Sequence, residues 1–264
     1  MKKHVMALLL AAVVTSTAIG LSACGEKGND INGNGITANT DPAMIVSERV
    51  ADQAAWKAAF DYSEITNFSF KRSSIIDGTF YSIENEIWNV SVDRMYGSLG
   101  YVNRKTDDKG EFIIENGEYV YEEKEPERQY EYKQNEKCYL LKNVYDKDYW
   151  VREEISDYEN DYGKHVFSKA EYIVNGYADF TYDEDKNAYV GNVHYVGPAT
   201  ENVRIYKCTV KIVGGKVVYW EEQYNETHND VIFTFSRTAM IFDVGKTTVR
   251  LPSNIVDREQ QTQE

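Results

Sequence analysis

Apolar and polar positions follow two different periods along this chain. Within residues 43–61 the apolar residues recur at helical spacing, as Val46 and Val50 illustrate, which predicts an amphipathic helix. Asp41-Pro42 supports this prediction, because an acceptor side chain at the N-cap followed by proline is typical of a helix start. After this segment the period becomes two, which indicates strands.

The first group of predicted strands spans residues 65–144. Trp88, Val90 and Val92 alternate there with polar residues. Asn116-Gly117 lies between apolar segments and is a strong signal for a hairpin turn. The pattern predicts an antiparallel meander of five to seven strands.

A second group of predicted strands fills the last third of the chain. One face of its first strand carries Tyr206, Cys208, Val210 and Ile212. Gly214-Gly215 predicts the next turn, Thr227–Asp230 another, and Thr247–Leu251 a short final strand.

Residues 145–175 interrupt the alternation and favour one or two short helices. The residues spaced like one helix face are Val151, Ile155, Tyr158 and Tyr162. Ser168–Glu171 fits a capping box, and Asn175-Gly176 fits a C-cap. Strands interrupted by helices indicate the α+β class, with helices packed on a curved sheet.

The N-terminal segment has the three regions of a secretory signal. Lys2 and Lys3 make it positive, an apolar stretch follows, and Leu21–Cys24 ends it. Leu-Ser-Ala-Cys resembles the lipobox of bacterial lipoproteins. The resemblance implies that Cys24 receives a diacylglycerol and acyl chains such as palmitate, and that cleavage before Cys24 removes the signal peptide. We therefore expect an exported protein, anchored to the outer face of the bacterial cell membrane.

These assignments divide the chain into four parts. Residues 1–23 are the signal peptide, and residues 24–41 are a lipidated, flexible tether rich in Asn and Gly. Residues 42–254 are expected to form a single domain. The polar residues 255–264 are expected to be a disordered tail.

The charge of the chain excludes one class of partner. The net charge is −14, and it becomes −16 from Cys24 onward because two lysines are the only charged residues before it. Such a chain is repelled by phosphates, so we expect no nucleic-acid partner. The acidic segment Glu122–Arg128 is interpreted as a solvated loop or strand edge.

The sequence offers no pattern for catalysis or metal binding. His165, His194 and His228 lack a second ligand at metal spacing. Asp183–Asn187 resembles the start of a calcium loop, but Ala188 stands where that loop has glycine, so a hairpin turn is favoured. We expect no enzyme activity, no metal and no cofactor.

Two cysteines, Cys138 and Cys208, remain besides the lipidated one. Both fall in predicted strands. Outside the cytoplasm they could form a disulfide, and two buried free thiols are the equally weighted alternative.

The order of elements and the segment FTFSRTAMIFDVGKTTVRLPSNI at residues 233–255 resemble LolA-like and LppX-like bacterial lipoproteins. The resemblance implies a strongly curved antiparallel sheet, an incomplete β-barrel, wrapped around an N-terminal helix and short middle helices. It also implies an apolar cavity for acyl chains and no catalytic residues.

The leading hypothesis is therefore a tethered, non-enzymatic protein that binds a lipid or another hydrophobic small molecule. The alternative is an envelope adaptor that binds a protein or a carbohydrate through tyrosines such as Tyr130, Tyr132 and Tyr158. An envelope hydrolase is the third hypothesis. The ligand and the oligomeric state stay open.

Overall fold

The computed structural model describes residues 35–77, 82–143, 148–156, 166–167, 170–196, 203–228 and 231–258. The strands are β1 (Phe68–Asp77), β2 (Ser82–Ser91), β3 (Arg94–Arg104), β4 (Ile114–Glu115), β5 (Glu118–Tyr119), β6 (Tyr121–Glu123), β7 (Glu127–Gln134), β8 (Lys137–Asn143), β9 (Trp150–Ile155), β10 (Phe180–Asp183), β11 (Ala188–Val196), β12 (Val203–Val213), β13 (Lys216–His228), β14 (Val231–Phe242) and β15 (Ile255–Asp257). The helices are α1 (Gln53–Phe60) and α2 (Glu171–Asn175), with single 3-10 turns at Pro42–Met44 and Tyr177–Asp179.

A single large sheet dominates the molecule. Its strand order is β10-β11-β12-β13-β14-β1-β2-β3-β7-β8-β9-β15, with β6 also paired to β3, while β4 and β5 form a separate pair. β15 is parallel to β9, and the other pairs are antiparallel. The sheet is not closed. The sheet-dominated α+β class and the antiparallel meander are confirmed.

One face of the sheet, here called the inner face, carries the main aromatic core. Trp56 of α1 is fully buried and donates its indole N–H to the carbonyl oxygen of Ile173 in α2 at 3.1 Å. Its ring lies 4.8 Å from that of Phe180 and 5.2 Å from that of Tyr189. The predicted shared face of β12 is confirmed, because its four residues are all buried. The two helices are held mainly by this packing, since helices so short are marginal in water.

The predicted N-terminal helix is wrong in its extent, and the sheet does not wrap around a long helix. Only eight of the predicted residues are α-helical, and they begin after Asp52, whose carboxylate accepts a hydrogen bond from the Ala55 N–H at 2.8 Å. The preceding residues bond to other parts of the chain instead: the Glu48 N–H donates to the Ile212 carbonyl oxygen at 2.7 Å. These tertiary hydrogen bonds override the helical spacing, and Val46 is left exposed.

The middle segment was also predicted only in part. Residues 150–155 form strand β9 rather than a helix, because their backbone pairs with β8. A short helix does follow, but it begins after Ala170, which makes no side-chain cap hydrogen bond. Tyr158, Tyr162 and Ser168 lie outside the described residues.

The opposite, outer face is covered by the two ends of the described chain. Ile36, expected within the tether, is buried against Met240 and Phe242. Lys211 is buried and donates to the carbonyl oxygens of Pro42 and Ile45, both at 2.8 Å. The tether prediction is therefore wrong for this last part, which packs on the sheet.

The C-terminal segment also lies on the outer face, and it runs from the end of β14 toward β9 at the far edge of the sheet. The Thr247 N–H and carbonyl bond the Asn67 side chain at 2.7 and 2.6 Å, and farther along the segment forms β15 at the far edge. Arg152 of β9 holds Asp257 with two hydrogen bonds of 2.6 and 3.0 Å. No strand forms at residues 247–251, and the predicted disordered tail instead begins with a strand.

Candidate functional site

A row of paired charges crosses the inner face beside the aromatic core. We call it the ionic row, and its members are Glu222 of β13, Arg237 of β14, Arg72 of β1 and Glu86 of β2. Glu222 lies directly opposite Arg237, and Arg72 lies directly opposite Glu86, so the strand register itself forms the two pairs. Ser74 faces Arg237 on the next strand and accepts a hydrogen bond from its Nε at 3.3 Å.

Glu222 is the most deeply buried member of the row, with 3% of its surface exposed. Arg237 donates to its carboxylate at 2.5 Å, and the Tyr172 hydroxyl of α2 donates to the other carboxylate oxygen. A buried carboxylate is costly unless such partners compensate it. Arg72 and Glu86 form the second ion pair, with 13% and 16% of their side chains exposed.

Burial dominates the titration of this group of side chains. Desolvation raises the pKa of Glu222, although Arg237 and Tyr172 act in the opposite direction. Desolvation also raises the pKa of Tyr172, and the neighbouring Glu222 carboxylate adds to that effect. Burial raises the pKa of the Cys208 thiol, which keeps it protonated and unreactive.

Four aromatic rings run alongside the ionic row from α2 across the sheet. We call them the aromatic ladder: Tyr172, Tyr206, Tyr224 and Phe235. Successive ring centroids lie 4.4, 4.6 and 4.6 Å apart, and the last two rings stack at an interplanar angle of 4°. Tyr206 is the buried ring of the ladder, and Tyr172, Tyr224 and Phe235 are half-buried.

The inner face is less fully covered at the Tyr224–Phe235 end of the ladder and beyond it. Its half-buried apolar side chains there are Ile76, Trp88, Leu99, Tyr224, Phe233 and Phe235. By contrast, the residues beneath α1 are buried. The arrangement combines partly accessible apolar surface with guanidinium, carboxylate and hydroxyl groups, which is the chemistry that holds a ligand with an apolar body and a polar end.

A depression of about 380 Å³ lies on the opposite face of β10–β13. Its lining includes Lys186, Lys207 and Glu221, so it combines charged and polar side chains with apolar ones. It therefore does not have the character of the cavity for acyl chains that the family resemblance implies.

The predictions for Cys24 and for the pair Cys138 and Cys208 are affected differently by the structure. Cys24 lies outside the described residues. Cys138 is on β8 and Cys208 on β12, and six strands separate them in the sheet. Both thiols are free in this structure, but only Cys208 is buried, and Cys138 is half-buried.

The described histidine and acidic residues form no metal site. His165 lies outside the described residues, and His194 is exposed. In the described part of the chain, no three His, Cys, Asp or Glu side chains are placed together so that they could hold a metal ion. Asp183 begins the turn between β10 and β11, where its carboxylate accepts hydrogen bonds from the Asp185 and Lys186 N–H groups. The hairpin interpretation of this acidic segment is confirmed.

The tyrosines proposed as adaptor contacts are packed within the sheet. Tyr132 is 2% exposed and stacks on Tyr139, with ring centroids 5.2 Å apart. Tyr130 is half-buried between Tyr96 and Trp150. Tyr132 is therefore not accessible for contact with a partner, and Tyr130 is only partly accessible.

The ionic row was not predicted from the sequence, although one feature of the sequence indicates a buried charge. In β13 the inner-face positions read Trp220, Glu222 and Tyr224, so a glutamate interrupts an otherwise aromatic face. A charged residue at such a position is rarely buried without a partner. Its partner Arg237 carries no comparable signal, because only the register of β13 with β14 brings the two together.

No helix of the described residues is both long and apolar enough to cross a membrane. No protein-family model and no curated protein sequence matches the chain. Among solved structures, it is similar to one described as "Structure of S-type Phycobiliprotein Lyase CPES from Guillardia theta", at a TM-score of 0.22 and 9% sequence identity. The match covers 72% of this chain and 97% of that one, and at this TM-score it supports no conclusion on function.

Proposed function

We propose that this protein is a non-enzymatic bacterial lipoprotein, exported and anchored by acyl chains on Cys24, that binds an amphipathic apolar ligand on the inner face of its sheet. The observation that carries the ligand proposal is the ionic row beside half-buried apolar side chains. The apolar body of the ligand lies along the end of the aromatic ladder. Its polar end meets Arg237, the most accessible member of the row, with 31% of its side chain exposed.

The sequence supports the anchoring half of the proposal. A positive start, an apolar stretch and Leu21–Cys24 occur in the order and at the distances of a lipobox. Acyl chains bind membranes through about 0.8 kcal/mol for each buried methylene, so two or three chains hold a protein stably.

A single preparation tests both halves. The full chain is expressed in a bacterium, cells are separated into membrane and soluble fractions, and the purified protein is analysed by native mass spectrometry before and after addition of palmitate. We expect the wild-type protein in the membrane fraction with an acyl mass, and Cys24→Ser in the soluble fraction. We also expect a bound lipid, or one added palmitate, in both proteins.

Phe235→Ser is the variant for the ligand face, and Ile232→Ser is its matched control. Both residues belong to β14, but Phe235 packs against Tyr224 on the inner face, whereas Ile232 is 62% exposed on the outer face. Phe235→Ser should weaken palmitate binding about tenfold, and Ile232→Ser should leave it unchanged. Absence of any copurifying lipid, together with no palmitate mass shift, would contradict the ligand proposal. An unmodified Cys24 would contradict the anchor.

A further inference from the structure

A small protrusion follows β3 and does not belong to the ligand face. We call residues 105–123 the finger. Its chain makes two successive turns: the first is held by Asp107, whose carboxylate accepts the Lys109 and Glu111 N–H groups at 2.8 and 2.9 Å. The second is the β4–β5 hairpin, in which Asn116 and Gly117 take positive φ angles of 53° and 82°. The Asn-Gly hairpin predicted from the sequence is therefore present.

The finger turns its large apolar side chains outward on one face. Ile114 pairs with Tyr119 across the hairpin, and the Phe112 ring meets the Tyr119 ring edge to face. Tyr121 follows Tyr119 by two residues. Their exposed fractions are 58% for Ile114, 41% for Tyr119, 37% for Phe112 and 36% for Tyr121. Phe112, Ile114 and Tyr119 therefore form an exposed apolar patch, with Tyr121 next to it along the chain. Exposed apolar patches of this kind are typical of interaction sites.

The aromatic side chains of the patch are held in place by a neighbouring arginine. The Arg104 guanidinium lies 4.1 Å from the ring centroid of Tyr119 and 5.5 Å from that of Phe112, and the two rings meet edge to face with centroids 5.8 Å apart. Rigid aromatic side chains lose little conformational freedom on binding, which is why they contribute strongly at interfaces.

Acidic residues surround this apolar patch. The finger contains seven acids and two lysines, so its nineteen residues carry a net charge of −5. Glu115 and Glu118 lie directly opposite each other beside the turn. Like charges in that position destabilise a strand pair, so the stability of the finger itself does not explain them.

We propose that the finger is the docking site for a second protein whose surface has an apolar pocket bordered by lysine and arginine. The apolar patch supplies the buried centre of the interface, and the acids supply a rim that attracts a basic partner. A second copy of this chain does not fit, because its charge of −14 would be brought against the acids of the finger. An anionic membrane surface is repelled for the same reason.

Photocrosslinking in the cells that make the protein tests this proposal. A photoreactive phenylalanine replaces Ile114 in the full chain, and in a matched control it replaces Ile205, a strand isoleucine that is 50% exposed elsewhere on the sheet. We expect Ile114, but not Ile205, to yield one crosslinked protein with lysine and arginine around its attachment point. That protein is then purified for binding measurements.

Binding of the full chain to the purified partner should depend on both parts of the finger. We expect Ile114→Ser, and separately Glu115→Lys combined with Glu118→Lys, to weaken binding at least about tenfold, since central interface residues contribute that much. Ile205→Ser should change nothing, and raising the salt from 50 to 300 mM should weaken binding. The finger variants should keep any lipid bound to the inner face, which separates this proposal from the preceding one.

Three results would overturn the docking proposal. One is crosslinking at Ile114 no stronger than at Ile205. Another is crosslinking of Ile114 to a second copy of the chain or to lipid. The third is binding that survives the charge reversal at Glu115 and Glu118 undiminished.

Discussion

The aromatic core beneath α1 and the finger are built from the same kinds of residue but have opposite surroundings. In the core, Trp56 is 0% exposed and is enclosed by helix, turn and sheet. In the finger, Ile114 is 58% exposed. Both regions place large apolar side chains on one side of an element.

The two regions differ in whether residues from distant parts of the chain cover their apolar side. α1 and α2 come from distant parts of the sequence and cover the inner face over β10–β14. The finger is built from nineteen consecutive residues, and it contacts Arg104 and the adjoining strand β3. Apolar side chains on one side of an element form a face that can be buried, and distant parts of the chain decide whether the fold itself buries it.

Replacement of Trp56 by alanine should give the largest loss of stability. The change leaves a cavity among aromatic rings and an Ile173 carbonyl without its indole donor, so we expect the free energy of unfolding to fall by about 3–5 kcal/mol. Urea unfolding followed by circular dichroism measures this. Lys57→Ala, the exposed neighbour in the same helix, is the control. A loss below about 1 kcal/mol would show that α1 is not essential to the core.

The ionic row should give the next largest effect. Arg237→Gln removes a guanidinium from the buried Glu222, and we expect a loss of about 3 kcal/mol at neutral pH. Because burial raises the pKa of Glu222, the folded protein holds that proton more tightly than the unfolded chain. The contribution of Glu222 to the free energy of unfolding should therefore fall as pH rises above about 4.3, the ordinary pKa of glutamate, until the raised pKa is passed.

Two variants check this sign. Glu222→Gln should remove the part of the pH dependence that this carboxyl causes, and Arg237→Gln should extend the fall to higher pH because an influence that lowers the pKa is lost. Glu221→Gln, exposed on the outer face, is the control. Urea unfolding between pH 4 and pH 8 provides the measurement. An unchanged pH profile in Glu222→Gln would mean that this carboxyl titrates alike in both states.

The finger should give the smallest effect on stability. Ile114→Ser removes an apolar side chain that the fold does not cover, so we expect a change within about 0.5 kcal/mol. The same urea titration measures it, with wild type as reference. A loss above about 1 kcal/mol would remove the contrast with the core, because it would show that the fold itself covers this face.

Local patterns were sufficient where neighbouring residues determine the structure. Asn116-Gly117 and Gly214-Gly215 adopt positive φ angles that glycine and asparagine tolerate, so their turns were predicted correctly. The alternation of Tyr206–Ile212 likewise identified a buried face. The helical spacing around Val46 failed because distant backbone groups offered the segment better hydrogen bonds.

By itself, the sequence determined the α+β class, the antiparallel meander, the turns at Asn116-Gly117 and Gly214-Gly215 and the apolar side of β12, because these depend on residues close together in the chain. Tertiary structure alone decided the pairing of Glu222 with Arg237, the separation of Cys138 from Cys208 by six strands and the return of the C-terminal strand to β9. Register and strand order join residues that are far apart in the chain, and no local period records which distant groups will meet.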